Sequence, residues 1–311
     1  MPGLGRKAGP ARRVPRIALA TCRQLPAGDE DSGPLLAACS AAGLDAEWRI
    51  WDDPAVDWDS YDLVVIRATW DYAPRRDDFA AWAASVPRLA NPADVVAWNT
   101  DKTYLRELTE AGVPVVPTAW LAPGTPVDWP DWPEVVVKPT VSAGSQDTAR
   151  YGADEHDKAR AHADRLLAAR RPVMVQPYLS GVDTAGESML VHIGGGYSHG
   201  FRKEAILRAG ESAETDALFR PEKVAARQPT PAEREVAARA LAAVPGGPAR
   251  LLYARVDLLP DEAGHPVVIE LELTEPSLWL SSAPGAADRL AGAIRTIVRP
   301  SSARRPAVGR R

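Results

Sequence analysis

Residues 251–280, LLYARVDLLPDEAGHPVVIELELTEPSLWL, constrain the fold more than any other stretch of this chain. Two runs in it alternate polar and apolar residues with period two, as a strand does when it presents one set of side chains to each face of a sheet. In the first, Tyr253, Arg255 and Asp257 alternate with Ala254, Val256 and Leu258; in the second, Ile269, Leu271 and Leu273 alternate with Glu270 and Glu272. Pro260, Asp261, Glu262 and Gly264 lie between them and read as the loop of an antiparallel hairpin. With ordinary register Asp257 falls within about one residue of Glu270, so three carboxylates share one face. Their repulsion has two resolutions. Either the hairpin is a sheet edge with a wet face, or the face holds a hard divalent cation such as Mg²⁺, which prefers oxygen ligands and shares its shell with phosphate.

A chain of 311 residues, 45% of them hydrophobic, can bury a substantial core spread over two or three modules of one globular unit. The net charge of −4 and an isoelectric point near 5.8, with no basic stripe over a folded stretch, argue against nucleic acid as a partner. Basic residues gather at the ends, in GRKAGPARRVPR and ARRPAVGRR, and residues 1–15 and 299–311 are expected to be disordered tails. The first tail lacks the apolar core of a secretory signal, and no run reaches the length of a membrane span, so no membrane partner is expected. Cys22 and Cys39 are too few for a disulfide framework or a zinc site, which leaves reduced thiols and a cytoplasmic location as the expectation. A homo-oligomer is compatible with all of this.

Apolar runs over 16–21, 46–51 and 62–66, with an Ala/Leu helix opened by Pro34 and closed by Gly43, predict a small open α/β sheet. Arg67, Thr69, Trp70 and Asp71 follow its third strand, where the carboxyl ends of such sheets receive ligands. The competing reading pairs Arg67 with Asp71 to fasten a loop. A Trp/Ala helix over 77–89 ends the module at Asn91-Pro92. The next helix, capped by Asn99 or Thr100, carries Tyr104, Leu105 and Leu108 inward until Gly112 and Pro114 stop it. Lys102 lies in its first turn, where the helix dipole disfavours a cation, and so hints at an anionic partner. Residues 119–133 read as an irregular connector.

A buried strand over 135–137 ends in Lys138 and Pro139. In the loop over 141–147, backbone N–H groups around Gly144 and the hydroxyls of Ser142 and Ser145 suit a phosphate cradle, to which Lys138 adds a point charge. After a helix over 159–171, a strand over 173–179 breaks at Ser180-Gly181, where backbone groups between two lobes can hold a planar base. Strands over 187–193 and 197–203 follow, then a polar stretch over 205–230 expected to form a mobile flap. An Ala-rich helix from Pro231 leads back to the hairpin, and a helix over 286–298 closes the fold. The histidines show no metal or nucleophile spacing, and His156 and His162 are assigned to an exposed helix face.

Taken in order, these residues resemble the ATP-grasp superfamily from residue 16 to residue 298: DK ahead of AGVPV, VVVKP ahead of a small-residue loop, VQPYL, RK on a strand, then ARVD and ELE. The resemblance implies an α/β protein with α+β character in its C-terminal part. An N-terminal pre-ATP-grasp α/β domain would span 16–97, a nucleotide-binding subdomain 98–181, and a metal and substrate subdomain 182–298. ATP and Mg²⁺ are the implied cofactors. Lys102 and Lys138 would bind nucleotide phosphates with the loop of Ser142, Gly144 and Ser145. Gln176, Pro177, Tyr178 and Leu179 would hold adenine, and Asp183 or Glu187 would meet the ribose. Asp257, Glu270 and Glu272 would hold the metal. Arg255 would face the transferred phosphoryl group beside Lys138, with Arg202 as a bidentate clamp for a substrate carboxylate. Glu275 and Ser277, together with Arg67, Thr69 and Asp71, would complete a substrate pocket. The chain departs from the family pattern at Glu272, where Asn is usual, and at Pro177, which removes one backbone N–H from the hinge.

DEDSGPLL, WDDPAVDWDSYDLVVIRATWDY and NPADVVAWNTDK narrow the resemblance to the subgroup that contains O-ureido-D-serine cyclo-ligase, which forms D-cycloserine. The implied reaction activates a small, amino-acid-like carboxylate as an acyl phosphate for attack by nitrogen. The attack is internal in a cyclo-ligase and intermolecular in a ligase that joins amino acids or peptides. A non-catalytic nucleotide-binding protein and a phosphotransferase that stops at phosphorylation are the competing classes. The first would be expected to have lost lysines or metal ligands that this chain retains.

Overall fold

The buried strand over residues 16–21 forms where its apolar run predicts, and the rest of the first sheet assembles beside it. The computed structural model describes residues 13–205 and 223–299. The rest of both expected tails, and residues 206–222 of the expected flap, lie outside the described residues. The first sheet contains β1 (Arg16–Thr21), β2 (Asp45–Ile50), β3 (Leu63–Ala68) and β4 (Leu89–Ala90), all parallel in the order β2-β1-β3-β4. Helix α1 (Ser32–Ala41) connects β1 to β2 and α2 (Arg76–Ser85) connects β3 to β4, while a crossover with a single short 3-10 turn at Trp58–Ser60 joins β2 to β3. The Trp/Ala helix ends earlier than its composition suggests, because Leu89 and Ala90 leave it to pair with Val64 and Val65.

Two helices, α3 (Ala93–Asn99) and α4 (Tyr104–Glu110), replace the single one expected. Lys102 sits in the turn between them, and its N–H donates to Thr140 O at 2.8 Å. A second, antiparallel sheet contains β5 (Ala119–Leu121), β6 (Val135–Pro139), β7 (Ala149–Tyr151) and β8 (Val173–Pro177) in the order β5-β8-β6-β7. Strand β5 lies in the stretch expected to be irregular. Helix α5 (His156–Ala168) covers this sheet through Ala159, Ala163 and Leu166. His162 shares that inward face at helical spacing, so it is buried rather than exposed, with Nδ1 3.0 Å from the Tyr151 hydroxyl.

After the short α6 (Gly181–Ala185), the third sheet contains β9 (Glu187–Ile193), β10 (Gly196–Lys203), β11 (Val224–Ala226), β12 (Tyr253–Pro260) and β13 (Pro266–Glu272), ordered β11-β10-β9-β12-β13. Helix α7 (Pro231–Ala242) starts from a capping box in which Thr230 and Glu233 each satisfy the other's backbone N–H. It packs on the apolar face of the β12–β13 hairpin with α4, burying Val236, Leu241, Val256, Val268 and Leu271. Helix α8 (Ala286–Val298) packs with α1 over a second core that joins Leu19 and Val65 of the first sheet to Met189, Val191 and Phe201 of the third. Both faces of the hairpin are therefore covered, although β13 is an edge strand. No helix among the described residues is long and apolar enough to cross a membrane.

Candidate active site

Strands β12 and β13 pair Asp257 with Glu270 and Arg255 with Glu272, so the register puts the four charged side chains of the polar face into two adjacent cross-strand pairs. A bulge between Asp257 and Leu258 follows at once. This face forms part of the wall of a cavity of about 520 Å³. Charges withdrawn from water must be paired or they are too costly to keep. Arg255 donates from Nε to Asp257 Oδ1 at 2.8 Å and from Nη2 to Asp257 Oδ2 at 2.7 Å, and it also pairs with Glu272. Its guanidinium carbon lies 5.2 Å from the centroid of the Trp279 ring. Glu270 pairs instead with Lys102, at 3.1 Å.

Lys102 also donates to Ser142 O at 2.9 Å, tying the hairpin to the small-residue loop. That loop lines the cavity with Ser142, Ala143, Gly144, Ser145 and Thr148. Gly144, Ser145 and Asp147 all take left-handed backbone angles, with φ of 61°, 60° and 52°. Such angles strain a residue with a Cβ, and the Asp147–Arg171 ion pair helps to hold the loop in place. At the other end Val136, Pro177, Tyr178, Leu179, Leu259 and Ile269 make an apolar slot. Pro177 has no N–H and that of Tyr178 goes to Glu134 O at 2.9 Å, which leaves Leu179 as the hinge donor for a planar base.

The electrostatics of the cavity are unbalanced toward an anionic ligand at one point and a cationic one nearby. Lys138 is 7% exposed and has no carboxylate partner among the described residues; burial pushes its ammonium down to about 8. Burial also pushes Glu187 up to about 7, against the opposing pull of Lys203 at 3.0 Å. Glu272 is driven well above the usual carboxylate range, first by burial and then by Asp257 and Glu270, despite Arg255. Glu270 stays below it because Lys102 and Lys138 outweigh its burial. A hard cation fits this excess of oxygen donors. Among the described residues no three or more His, Cys, Asp or Glu side chains converge into a ready cage. Mg²⁺ does not need one, since it commonly takes one or two carboxylates and completes its shell with water and phosphate oxygens.

Several expected site residues lie elsewhere. Arg202 is not part of the cavity wall and donates to the carbonyls of Thr184 and Ala185. Its neighbour Lys203, on the opposite face of β10, lines the cavity instead. Asp183 accepts from the Tyr178 hydroxyl at 2.5 Å, while Glu187 reaches the cavity. Asp71 accepts from Trp51 Nε1 at 2.9 Å and pairs with Arg75 at 2.7 Å. Thr69 is fully buried outside the cavity wall. Arg67, equally buried, pairs with Asp29 at 3.3 Å and donates to Pro276 O at 3.1 Å, so it supports the wall from behind. Asp257, held by Arg255, sits just behind the wall too. Trp70, Glu275, Ser277 and Trp279 do line it, joined by Gly28, Asp29, Glu30 and Asp31, which had no site role in the sequence. The one available signal was their position past the carboxyl end of β1, the same argument that singled out residues 67–71.

Substitution separates the two neighbours on β10. Lys203→Met is expected to raise the KM for ATP about tenfold or more, the size of a lost charge-assisted hydrogen bond. Arg202→Met should leave it within about twofold, as for an exposed contact. Steady-state ATP titrations on both variants check this; a larger effect from Arg202 would reverse the assignment.

The family model described as the N-terminal domain of D-cycloserine synthetase DcsG matches residues 17–91. Over 288 residues the chain is 39% identical to the cycloserine biosynthesis protein DcsG of Streptomyces lavendulae, spanning 88% of this chain and 95% of that protein. It matches the crystal structure of D-cycloserine synthetase DcsG with a TM-score of 0.83 at 38% identity, over 91% of this chain and 100% of that one. The RimK domain ATP-grasp protein from Sphaerobacter thermophilus matches with a TM-score of 0.62 at 19% identity, over 91% and 99% of the two chains, a likeness of fold alone.

Proposed function

The chain belongs to the D-cycloserine synthetase family of ATP-grasp ligases, and from that premise we propose that it closes the ring of D-cycloserine from O-ureido-D-serine. Support for this reading comes from Lys138, a buried ammonium without a carboxylate partner among the described residues, next to a loop rich in backbone N–H groups. Such a group is stable where an anion will neutralise it. Lys102, Lys138, Lys203 and the loop of Ser142–Ser145 would hold the ATP phosphates, with adenine in the apolar slot at Leu179. Asp257, Glu270 and Glu272 would hold Mg²⁺, which when bound neutralises charge on the phosphates. Arg255 would steady the phosphoryl group as it passes to the substrate carboxylate, at a cavity end walled by Trp70, Glu275, Ser277 and Trp279. The nitrogen of the same molecule would then attack the acyl phosphate, a unimolecular step that the small cavity would favour by holding the substrate in its closing conformation, and hydrolytic loss of the carbamoyl group from that nitrogen, as ammonia and carbon dioxide, would give D-cycloserine.

The test is ADP release by the purified protein with Mg-ATP and O-ureido-D-serine, followed by mass spectrometry of the product. Turnover with the single substrate and a ring product is the expected outcome. Turnover only when two amino acids are supplied would make the protein an intermolecular ligase. A stable phosphorylated product without a new C–N bond would make it a phosphotransferase.

A further inference from the structure

Of five carboxylates on and beside the polar face of the hairpin, four are ion-paired: Asp257 and Glu272 with Arg255, Glu270 with Lys102, and Glu187 with Lys203. Glu275 is different. It lines the cavity yet makes no ion pair among the described residues; its carboxyl meets the phenol of Tyr72, which is itself buried. Its backbone is fixed as well, since Trp70 Nε1 donates to Glu275 O at 2.9 Å and Arg67 donates to the next carbonyl, Pro276 O. The carboxyl is therefore held in the cavity wall, with a neutral hydroxyl on one side and the cavity on the other.

We propose that Glu275 is the catalytic base that takes the proton from the nitrogen as it attacks the acyl phosphate. In this step the N–C bond forms and the C–O bond to the phosphoryl group breaks. Phosphate leaves with that electron pair, and the N–H proton passes to a Glu275 carboxylate oxygen. The proposal rests on the ligase reading above and adds to it the group that accepts the proton. The surroundings fit the task. Burial and Glu270 push the Glu275 carboxyl up to about 7, against Lys102, Tyr72 and Arg255, which pull it down; Glu272 also faces it. A base that titrates near the working pH is half available and strong enough to act. The other four carboxylates are engaged with Arg255, Lys102 and Lys203, and Asp29 with Arg67.

The test uses the full-length enzyme with Mg-ATP and O-ureido-D-serine, and follows the two half-reactions separately. Hydroxylamine intercepts an acyl phosphate as a hydroxamate without needing the protein's base. Glu275→Gln is expected to keep hydroxamate formation and substrate KM within about threefold of wild type, while ring closure falls by about 10²–10⁴-fold. The acidic limb near neutral pH in the wild-type rate profile should vanish with it, and Glu275→Asp should restore part of the rate. Retained ring closure in Glu275→Gln would overturn the proposal. So would joint loss of hydroxamate and a raised KM, which would make Glu275 an anchor for the substrate's ammonium. A wild type that forms neither ring nor hydroxamate from this substrate would instead overturn the cyclisation reading, and the base with it.

Discussion

Glu270→Gln is expected to lower ATP-dependent turnover by about 10³-fold, the scale of losing one preorganised electrostatic contact in a site of this kind. The side chain lies where β13 meets Lys102 and Lys138. It is directly across from Asp257 in the hairpin and 3.1 Å from Lys102. Lys102 and Lys138 keep it ionised at neutral pH in spite of burial, so wild type presents a full negative charge to a cation at this point. The amide has the same shape and can still accept from Lys102, but it offers a metal no charge. Folding should survive. The Glu270 side chain is 30% exposed, and a partly exposed pair contributes little net stability, so the melting temperature should move by no more than about 4 °C. Steady-state ADP release and a thermal melt on the same preparation decide it. Turnover within tenfold of wild type would remove Glu270 from the metal set and return the hairpin to an edge strand with an incidental charged face.

The hairpin was the most legible part of this protein because its two strands each keep period two through the charged residues, which fixes both faces and nearly the register. Arg202 and Lys203 were not separable by the same logic. Strand β10 is buried at His199, Gly200 and Phe201 in succession, so covering on both faces erases the alternation that would have shown which basic residue points inward. The choice is made by β9, whose Glu187 lies opposite Lys203. Likewise Asp31 has no local pattern to mark it. It meets the N–H of Ser281 at 3.0 Å only because α1 and the segment before α8 share one core. His162 could have been found. Its spacing from Ala159, Ala163 and Leu166 is that of one helix face, and the polar name of the residue hid a pattern that was present. The split of α3 from α4 was harder, since the turn at Asp101–Thr103 is fixed by the bond from Lys102 N to the distant Thr140. Local sequence supplies no trace of that partner.

The largest stability effect should come from Asn91→Ala, at a residue outside the cavity wall. Asn91 is fully buried where the first sheet meets the hairpin. Its Nδ2 donates to Tyr253 O at 2.8 Å and Leu273 O at 2.7 Å, and its Oδ1 accepts from Leu252 N at 2.7 Å. One amide thus satisfies two carbonyls and one N–H that no solvent reaches. Alanine would leave all three unpaired, and at about 1–3 kcal/mol for each buried orphan the loss is about 3–6 kcal/mol once relaxation is allowed for. That is a large part of the total stability of an ordinary domain, and it corresponds to a fall in melting temperature of about 10 °C. The exposed Asp94–Arg250 pair, a few residues away at 2.8 Å, serves as the contrast: Asp94→Ala should leave the melt nearly unchanged. Because Leu273 directly follows Glu272, the Asn91 variant also tests whether β13 depends on this anchor for its position. If the anchor serves stability alone, Asn91→Ala will turn over at close to the wild-type rate well below its own melting temperature. A slow enzyme under those conditions, still folded by circular dichroism, would mean that Asn91 holds Glu270 and Glu272 in place as well.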